Sequence, residues 1–196
     1  MILMLCLLLC LHCTGCSIST KSTININLDD SFHEIKEIAV LRFEDKSIQE
    51  EGVTGFVFQS IPNPSAGDIL AEIFTNELIR ISAYSVLTRP EVKDRIRASG
   101  GMKEKSLAEQ KDCATLKKVL KVDAVVIGKV NAFGVKNMPI YERGITAFSA
   151  ECIDIRNGNI LWSIEINRSA PYKNEIELAK ETIRELMKQL KDDLEK

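Results

Sequence analysis

Apolar and polar positions follow different rhythms along this chain, and each rhythm predicts an element. Residues 38–41, Ile-Ala-Val-Leu, form a continuous apolar run that stops at Glu44-Asp-Lys-Ser47, the pattern of a strand covered on both faces. Ile69, Leu70, Ile73, Phe74, Leu78 and Ile81 recur at helical spacing behind Asn63, Pro64 and Ser65, which predicts a helix over residues 67–81 lying on the sheet. Tyr84-Ser-Val-Leu87 reads as a short strand. Thr88-Arg-Pro-Glu91 places a capping Thr, a Pro in the first turn and a Glu that reaches back, so a brief helix runs to residue 98 and stops at Gly100-Gly101. Ser106-Leu-Ala-Glu109 reads as a second capping box, opening one helix that carries Leu107, Ala114, Leu116, Val119 and Leu120. Residues 122–130 then resume a buried strand.

A long hairpin follows. Residues 145–156 and 159–167 flank Asn157-Gly158, a pair suited to the positive φ angles of a two-residue type I′ turn. Residues 131–144 read as a polar insert ahead of it. From Asn174 onward, Ile176, Ala179, Ile183, Leu186, Met187, Leu190 and Leu194 make one apolar stripe, with Glu175, Glu177 and Glu181 early and Lys188 and Lys191 late, as the helix dipole prefers. This terminal helix covers either the chain's own sheet or a partner helix. Strands joined through helices imply parallel pairing and the hairpin adds antiparallel pairs. The expected fold class is therefore mixed α/β: one mixed sheet of about five strands with three to four helices, in the order β-α-β-α-α-β-β-β-α.

The N-terminus has another rhythm. Residues 2–11 are apolar throughout and no charged side chain precedes Lys21, which is a signal-peptide core, about half the length of a membrane span. The run ends in Leu11-His-Cys-Thr-Gly-Cys16, with Cys13 where leucine is usual; this resembles the lipobox of bacterial lipoproteins. The resemblance implies cleavage between Gly15 and Cys16 and lipid attachment at Cys16. Several acyl chains on one residue make a stable anchor where one chain is marginal. Ser17, by likeness to enterobacterial sorting, implies the outer membrane and a periplasm-facing domain. The expected organisation is a signal peptide at 1–15, a lipidated tether at 16–34 and an α/β domain at 35–196. Within 16–34 the weak alternation also allows an edge strand over residues 23–28.

Charge and chemistry narrow the functions. A formal net charge of −2 over 196 residues offers no broad attraction to nucleic acid or anionic lipid. The two histidines are His12, inside the expected signal peptide, and His33, in a polar lead-in, so a Ser-His-Asp or Cys-His catalytic set is not expected. Neither a glycine-rich phosphate loop nor a Cys-x-x-Cys pair beyond the signal region is present, and no cofactor, metal or small-molecule substrate is expected. Asp123, Glu151 and Asp154 offer carboxylates, read as capping or solvated groups. Cys113 and Cys152 are either buried thiols or a disulfide joining helix to hairpin. Trp162 is either core or a partner-binding anchor. The long insert at 44–65 carries one apolar patch, in which Val53, Phe56 and Phe58 are expected to contact another subunit or a partner.

Four segments together carry a wider resemblance: Ile38-Ala-Val-Leu-Arg-Phe-Glu-Asp45, Tyr84-Ser-Val-Leu-Thr-Arg-Pro-Glu91, Val122-Asp-Ala-Val-Val-Ile-Gly128, and Asp154-Ile-Arg-Asn-Gly-Asn-Ile-Leu-Trp-Ser163. Their order over residues 36–190, behind a lipobox, is similar to the CsgG-like group of outer-membrane lipoproteins. That group includes activators of penicillin-binding proteins and resembles the N-terminal domain of TolB. The resemblance implies a non-enzymatic binding or assembly protein of the envelope, acting through a protein partner or a homo-oligomer. An alternative it allows is a regulator that docks on and activates a periplasmic enzyme such as a penicillin-binding protein. Secreting members add membrane-spanning hairpins, each strand of which needs about nine to eleven alternating residues. The inserts at 44–65 and 131–144 do not read that way, so a channel is not expected.

Overall fold

In the computed structural model, which describes residues 19–26, 34–47, 60–81, 84–100 and 102–194, the apolar run after Lys36 becomes β2 (Glu37–Val40). It sits inside a mixed sheet whose described strands number eight. The spine is β6 (Ala124–Asn137). One edge of it pairs antiparallel with β7 (Glu142–Asp154) from Ala124↔Asp154 to Asn137↔Glu142, with a bulge between Val130 and Ala132. The other edge is used in three pieces. β2 lies parallel over residues 124–126, β3 (Glu44–Asp45) parallel over 129–130, and β4 (Ser60–Pro62) antiparallel over 134–136. β5 (Ser85–Val86) adds to β2 in parallel, as strands joined through helices must. β8 (Ile160–Pro171) pairs antiparallel with β7, and β1 (Ser19–Ile26) closes that side against β8.

One stretch settles an alternative that the sequence left open, and another corrects an expectation. The stretch weighed as tether or edge strand is a strand from Ser19, in register with β8 over its whole length from Ser19↔Ser169 to Ile26↔Trp162. Residues 131–144 are no polar insert: β6 runs on to Asn137 and β7 begins at Glu142. The polar reading failed because, among the described residues, this part of the sheet is covered on one face only. Phe133 is buried in the core while Lys136, three residues on, lies on the opposite face and stays partly exposed, as strand alternation requires.

Helices pack both faces. α1 (Ala66–Ile81) buries Leu70, Ile73, Phe74 and Leu78, and α5 (Glu175–Leu194) buries Leu178, Ala179, Ile183, Leu186, Met187 and Leu190. Both lie over the face formed by Ile38, Val40, Val126, Phe148, Cys152, Ile164 and Ile166. The terminal helix thus covers its own sheet. Each such aliphatic side chain stabilises by roughly 1.5–3 kcal/mol when fully buried. Phe43, Phe74 and Phe148 meet at the centre, with Phe74 edge-on to Phe148 at 5.6 Å. Glu77, on the seam between the helices, is held by Arg80 of α1 at 3.1 Å and Arg184 of α5 at 3.3 Å.

Among the described residues, the opposite face is covered only toward the β2 end, by α2 (Arg89–Ala98), α3 (Glu104–Gln110) and α4 (Cys113–Leu120). Val92, Ile96, Leu107, Leu116 and Leu120 pack there on Ala39, Leu41, Val125, Ile127 and Ile153. The Thr88 capping box forms as read, Glu91 accepting from the Thr88 N–H and hydroxyl at 2.7 Å. The helix expected to open at Ser106 does not. It is two helices, broken at Lys111 (φ 49°), and Asp112 caps the second by accepting the N–H groups of Ala114 and Thr115. Ser106 lies inside α3, so its spacing to Glu109 caps nothing. The Asn157-Gly158 turn also differs: only Gly158 has positive φ, 81°. Its N–H donates to the Asp154 carbonyl at 2.8 Å, and a register slip lets Cys152 face Trp162 while Ile153 faces Ile160. The turn is longer than a type I′ pair because the bulge admits Leu161, which is buried beside Trp162 in the same core.

Candidate interaction surfaces

Gly15 and Cys16, and Val53, Phe56 and Phe58, lie outside the described residues, as do His12 and His33. The remaining candidates fall in places that separate chemistry from architecture. Asp123 accepts the backbone N–H groups of Lys36 and Glu37 at 2.9 and 3.0 Å, pinning the entry to β2. Glu151 pairs with Lys111 at 2.8 Å. Asp154 is wholly buried and takes a forked pair of bonds from Arg156, whose other arm reaches Glu34 at 2.9 Å. Burial works to raise the Asp154 pKa, but the side-chain and backbone hydrogen bonds of Arg156 and the charges of Arg156 and Lys117 outweigh it. The carboxyl therefore sits below the usual range. Each of the three carboxylates is engaged in holding backbone or a neighbouring cation. Among the described residues, no group of three or more His, Cys, Asp or Glu is arranged to hold a metal ion.

The disulfide alternative for Cys113 and Cys152 is corrected, because both are free. Cys152 points into the core under α1 and α5, whereas Cys113 packs against the core under α2 and α4. The sheet stands between the two, and no rotamer crosses it. Burial, with a smaller push from the Asp154 charge, raises the Cys152 pKa far enough that the group stays a thiol. Trp162 is 1% exposed and belongs to the core. A buried arginine missed by sequence reading, Arg89, donates to the Val40 carbonyl and pairs with Glu104 at 2.8 Å, while Glu104 also accepts the Arg42 N–H. These bonds tie the start of α2 and α3 to the end of β2. In the sequence, Arg89 is indistinguishable from a solvated first-turn residue.

Two of the surfaces formed by the described residues lie along the open part of the sheet and at its end. Under the edge of α3 the sheet opens into a cleft of about 320 Å³ walled by Glu44, Lys46, Glu109, Lys111, Lys129 and Glu151. Acids and bases there neutralise one another, as in Lys111–Glu151 and Lys46–Glu44, so the cleft presents no field of one sign to a charged ligand. Beyond it the sheet face carries Ser149, Glu165, Asn167, Thr23 and Asn25, side chains suited to water or to a polar subunit contact.

The second surface is the apex of the β6–β7 hairpin. Asn137↔Glu142 is its last rung, and the Met138 N–H donates to the Tyr141 carbonyl at 2.9 Å, leaving Pro139 and Ile140 at the tip. Beside it the chain leaves β8 through Tyr172, which sits in the left-handed region at φ 59° and donates its N–H to the Glu142 carbonyl at 2.9 Å. That conformation costs a non-glycine residue roughly 1–2 kcal/mol. The Tyr172 ring meets Tyr141 with centroids 5.1 Å apart. The crossing is possible because Gly144 lies beneath it: a Cβ there would come 2.5 Å from the Lys173 carbonyl oxygen. Ile140 is 85% and Tyr172 69% exposed. The sequence does mark this site, as Met-Pro-Ile-Tyr flanked by polar residues, an apolar tetrad at a place that turn chemistry puts on the surface.

Comparison with known proteins places this architecture. No curated protein sequence matches the chain at a significant level. Among solved structures, the PelC dodecamer from Paraburkholderia phytofirmans has a TM-score of 0.54 at 16% identity, over 87% of this chain and 95% of that one. Lipoprotein GNA1162 from Neisseria meningitidis has a TM-score of 0.58, also at 16% identity, over 80% and 99%. At that identity the likeness speaks for the fold. The model of the family described as the curli production assembly/transport component CsgG matches residues 20–139, more than half of the chain, from within β1 through the end of β6. The chain belongs to the CsgG family.

Proposed function

We propose that the mature chain is a lipoprotein anchored through Cys16 in the outer membrane, facing the periplasm, and that it works without catalysis as a self-associating component of an envelope assembly or transport machine. The observation that carries this reading is the start of β1. Ser19 is already paired with Ser169, three residues past Cys16, so the domain sits within about 10 Å of its attachment point. A protein held that close works at the membrane surface. A regulator that must reach away from it to an enzyme needs a longer free tether, which disfavours the reading as an activator of a penicillin-binding protein. Family membership and the dodecameric state of PelC support self-association. The carboxylates bound to backbone and cations support a role in which side chains hold shape and do no chemistry.

The test is the native mass of the detergent-solubilised, lipidated protein. A defined oligomer is expected, and substituting Phe56 and Phe58 with Ser, in the segment between β3 and β4, is expected to reduce it to smaller species. A monomer at micromolar concentration overturns self-association, and a monomer that co-purifies with a cell-wall synthase revives the regulator reading.

A further inference from the structure

The two most exposed large apolar side chains of the described surface, Ile140 at 85% and Tyr172 at 69%, lie at one end of the sheet, and Ile61 on β4 is 47% exposed at the same end. The strand register shows how that end relates to the chain's start. One rung crosses five strands: Ser19 on β1, Ser169 on β8, Ile145 on β7, Gly134 on β6 and Pro62 on β4. Beyond it toward the apex lie Ile61, the hairpin tip and Tyr172. β1 runs antiparallel to β8, and β8 runs toward the apex, so the chain enters β1 from the apex side. Three residues of backbone can carry Cys16 no more than about 10 Å from Ser19.

The geometry points to the apex as a second membrane contact, in which Ile140, Tyr141 and Tyr172 rest in the headgroup region of the bilayer that the lipid on Cys16 enters. The orientation rests on the anchor reading; the apolar and aromatic character of the tip is independent of it. Tyrosine suits this place because its ring is apolar and its hydroxyl stays wet. The left-handed backbone at Tyr172, fixed by its bond to Glu142 and its ring contact with Tyr141, holds a bulky aromatic outward where a relaxed turn would not require one. An isolated lipid anchor leaves the domain free to swivel about one point. Two contacts on one end fix the sheet upright, with its strands running along the membrane normal.

The experiment uses full-length protein processed in cells, reconstituted in phosphatidylcholine vesicles with brominated acyl chains. Ile140→Trp and Ile160→Trp place reporters at the apex and at the far end of β8, both at exposed positions, against Trp162, which is buried. Bromine is expected to quench Ile140→Trp emission at least twofold more than Ile160→Trp, and a Tyr172→Ser background should weaken that difference. Equal quenching of the two reporters, or none at Ile140→Trp, overturns the contact. So does a tip shielded from acrylamide equally in detergent and in vesicles, which marks a protein interface. The mass of the Cys16 peptide reads the anchor separately: a lipidated but unquenched protein sinks the apex contact alone, and an unlipidated but quenched one sinks the anchor alone.

Discussion

The two halves of β6 live in different surroundings. From Ala124 to Ile127 each residue is buried, with β2 parallel on one side, β7 on the other and helices above and below. From Gly134 to Lys136 the strand has an antiparallel neighbour on each side, with one face over the core and the other uncovered by the described residues. The first half is indifferent to what surrounds the protein. The second leads to a tip where Ile140 and Tyr172 stand exposed, the kind of apolar surface that the proposed membrane contact would use. The difference teaches that substitutions should divide by position into those that unfold the protein and those that leave it folded but unattached.

The largest expected effect falls on the buried half. Phe74→Ala empties the centre of the Phe43–Phe74–Phe148 cluster and should cost about 3–5 kcal/mol in denaturant unfolding, a large part of the 5–15 kcal/mol typical of a domain. Gly144→Val, at the other half, forces the Lys173 carbonyl to move and should cost ~1–3 kcal/mol while disordering the Tyr172 crossing. A loss as large as that of Phe74→Ala would erase the contrast between the halves. Asp154→Asn should cost ~1–2 kcal/mol at neutral pH, through loss of charged hydrogen bonds to a half-exposed Arg156. The sign of its pH dependence follows from the lowered pKa. The native carboxylate contributes stability that is fully present above the unfolded value near 4 and is lost as pH falls through the folded one. The wild-type stability curve should therefore fall below pH ~4 and the Asp154→Asn curve should be flatter there. Ile140→Ser should change stability by less than ~0.5 kcal/mol, because an exposed side chain loses no packing. A thermal melt showing a clear loss would place Ile140 in a contact within the fold and collapse the comparison from its small end.

How far the sequence could be read follows the same division. Where both faces are covered the signal is dense, so residues 38–41 and 124–127, the α1 and α5 stripes and the Thr88 cap were all legible. Where one face is open, Phe133 and Val135 alternate with Ala132, Gly134 and Lys136, which resembles a polar loop until β4 and β7 are seen beside it. The breaks were hidden for another reason. Lys111 and Tyr172 adopt positive φ without the glycine that normally announces it, because tertiary contacts hold them there. Whether the thiols pair stayed open in the sequence because spacing along the chain carries no record of which side of a sheet a residue faces. The apex was lost inside a stretch read as polar, because its four apolar residues, Met138 to Tyr141, are too few to stand out until the register puts them beside the chain's start.

The placement of β1 also sets how the domain bears load. A pull on Ser19 directed along the strand axis runs across the hydrogen bonds of the β1–β8 ladder. All the rungs from Ser19↔Ser169 to Ile26↔Trp162 are then strained together in shear, and none is peeled one at a time. A machine that tugs on this protein against its membrane attachment would meet a strap fastened along its whole length at the edge of the sheet.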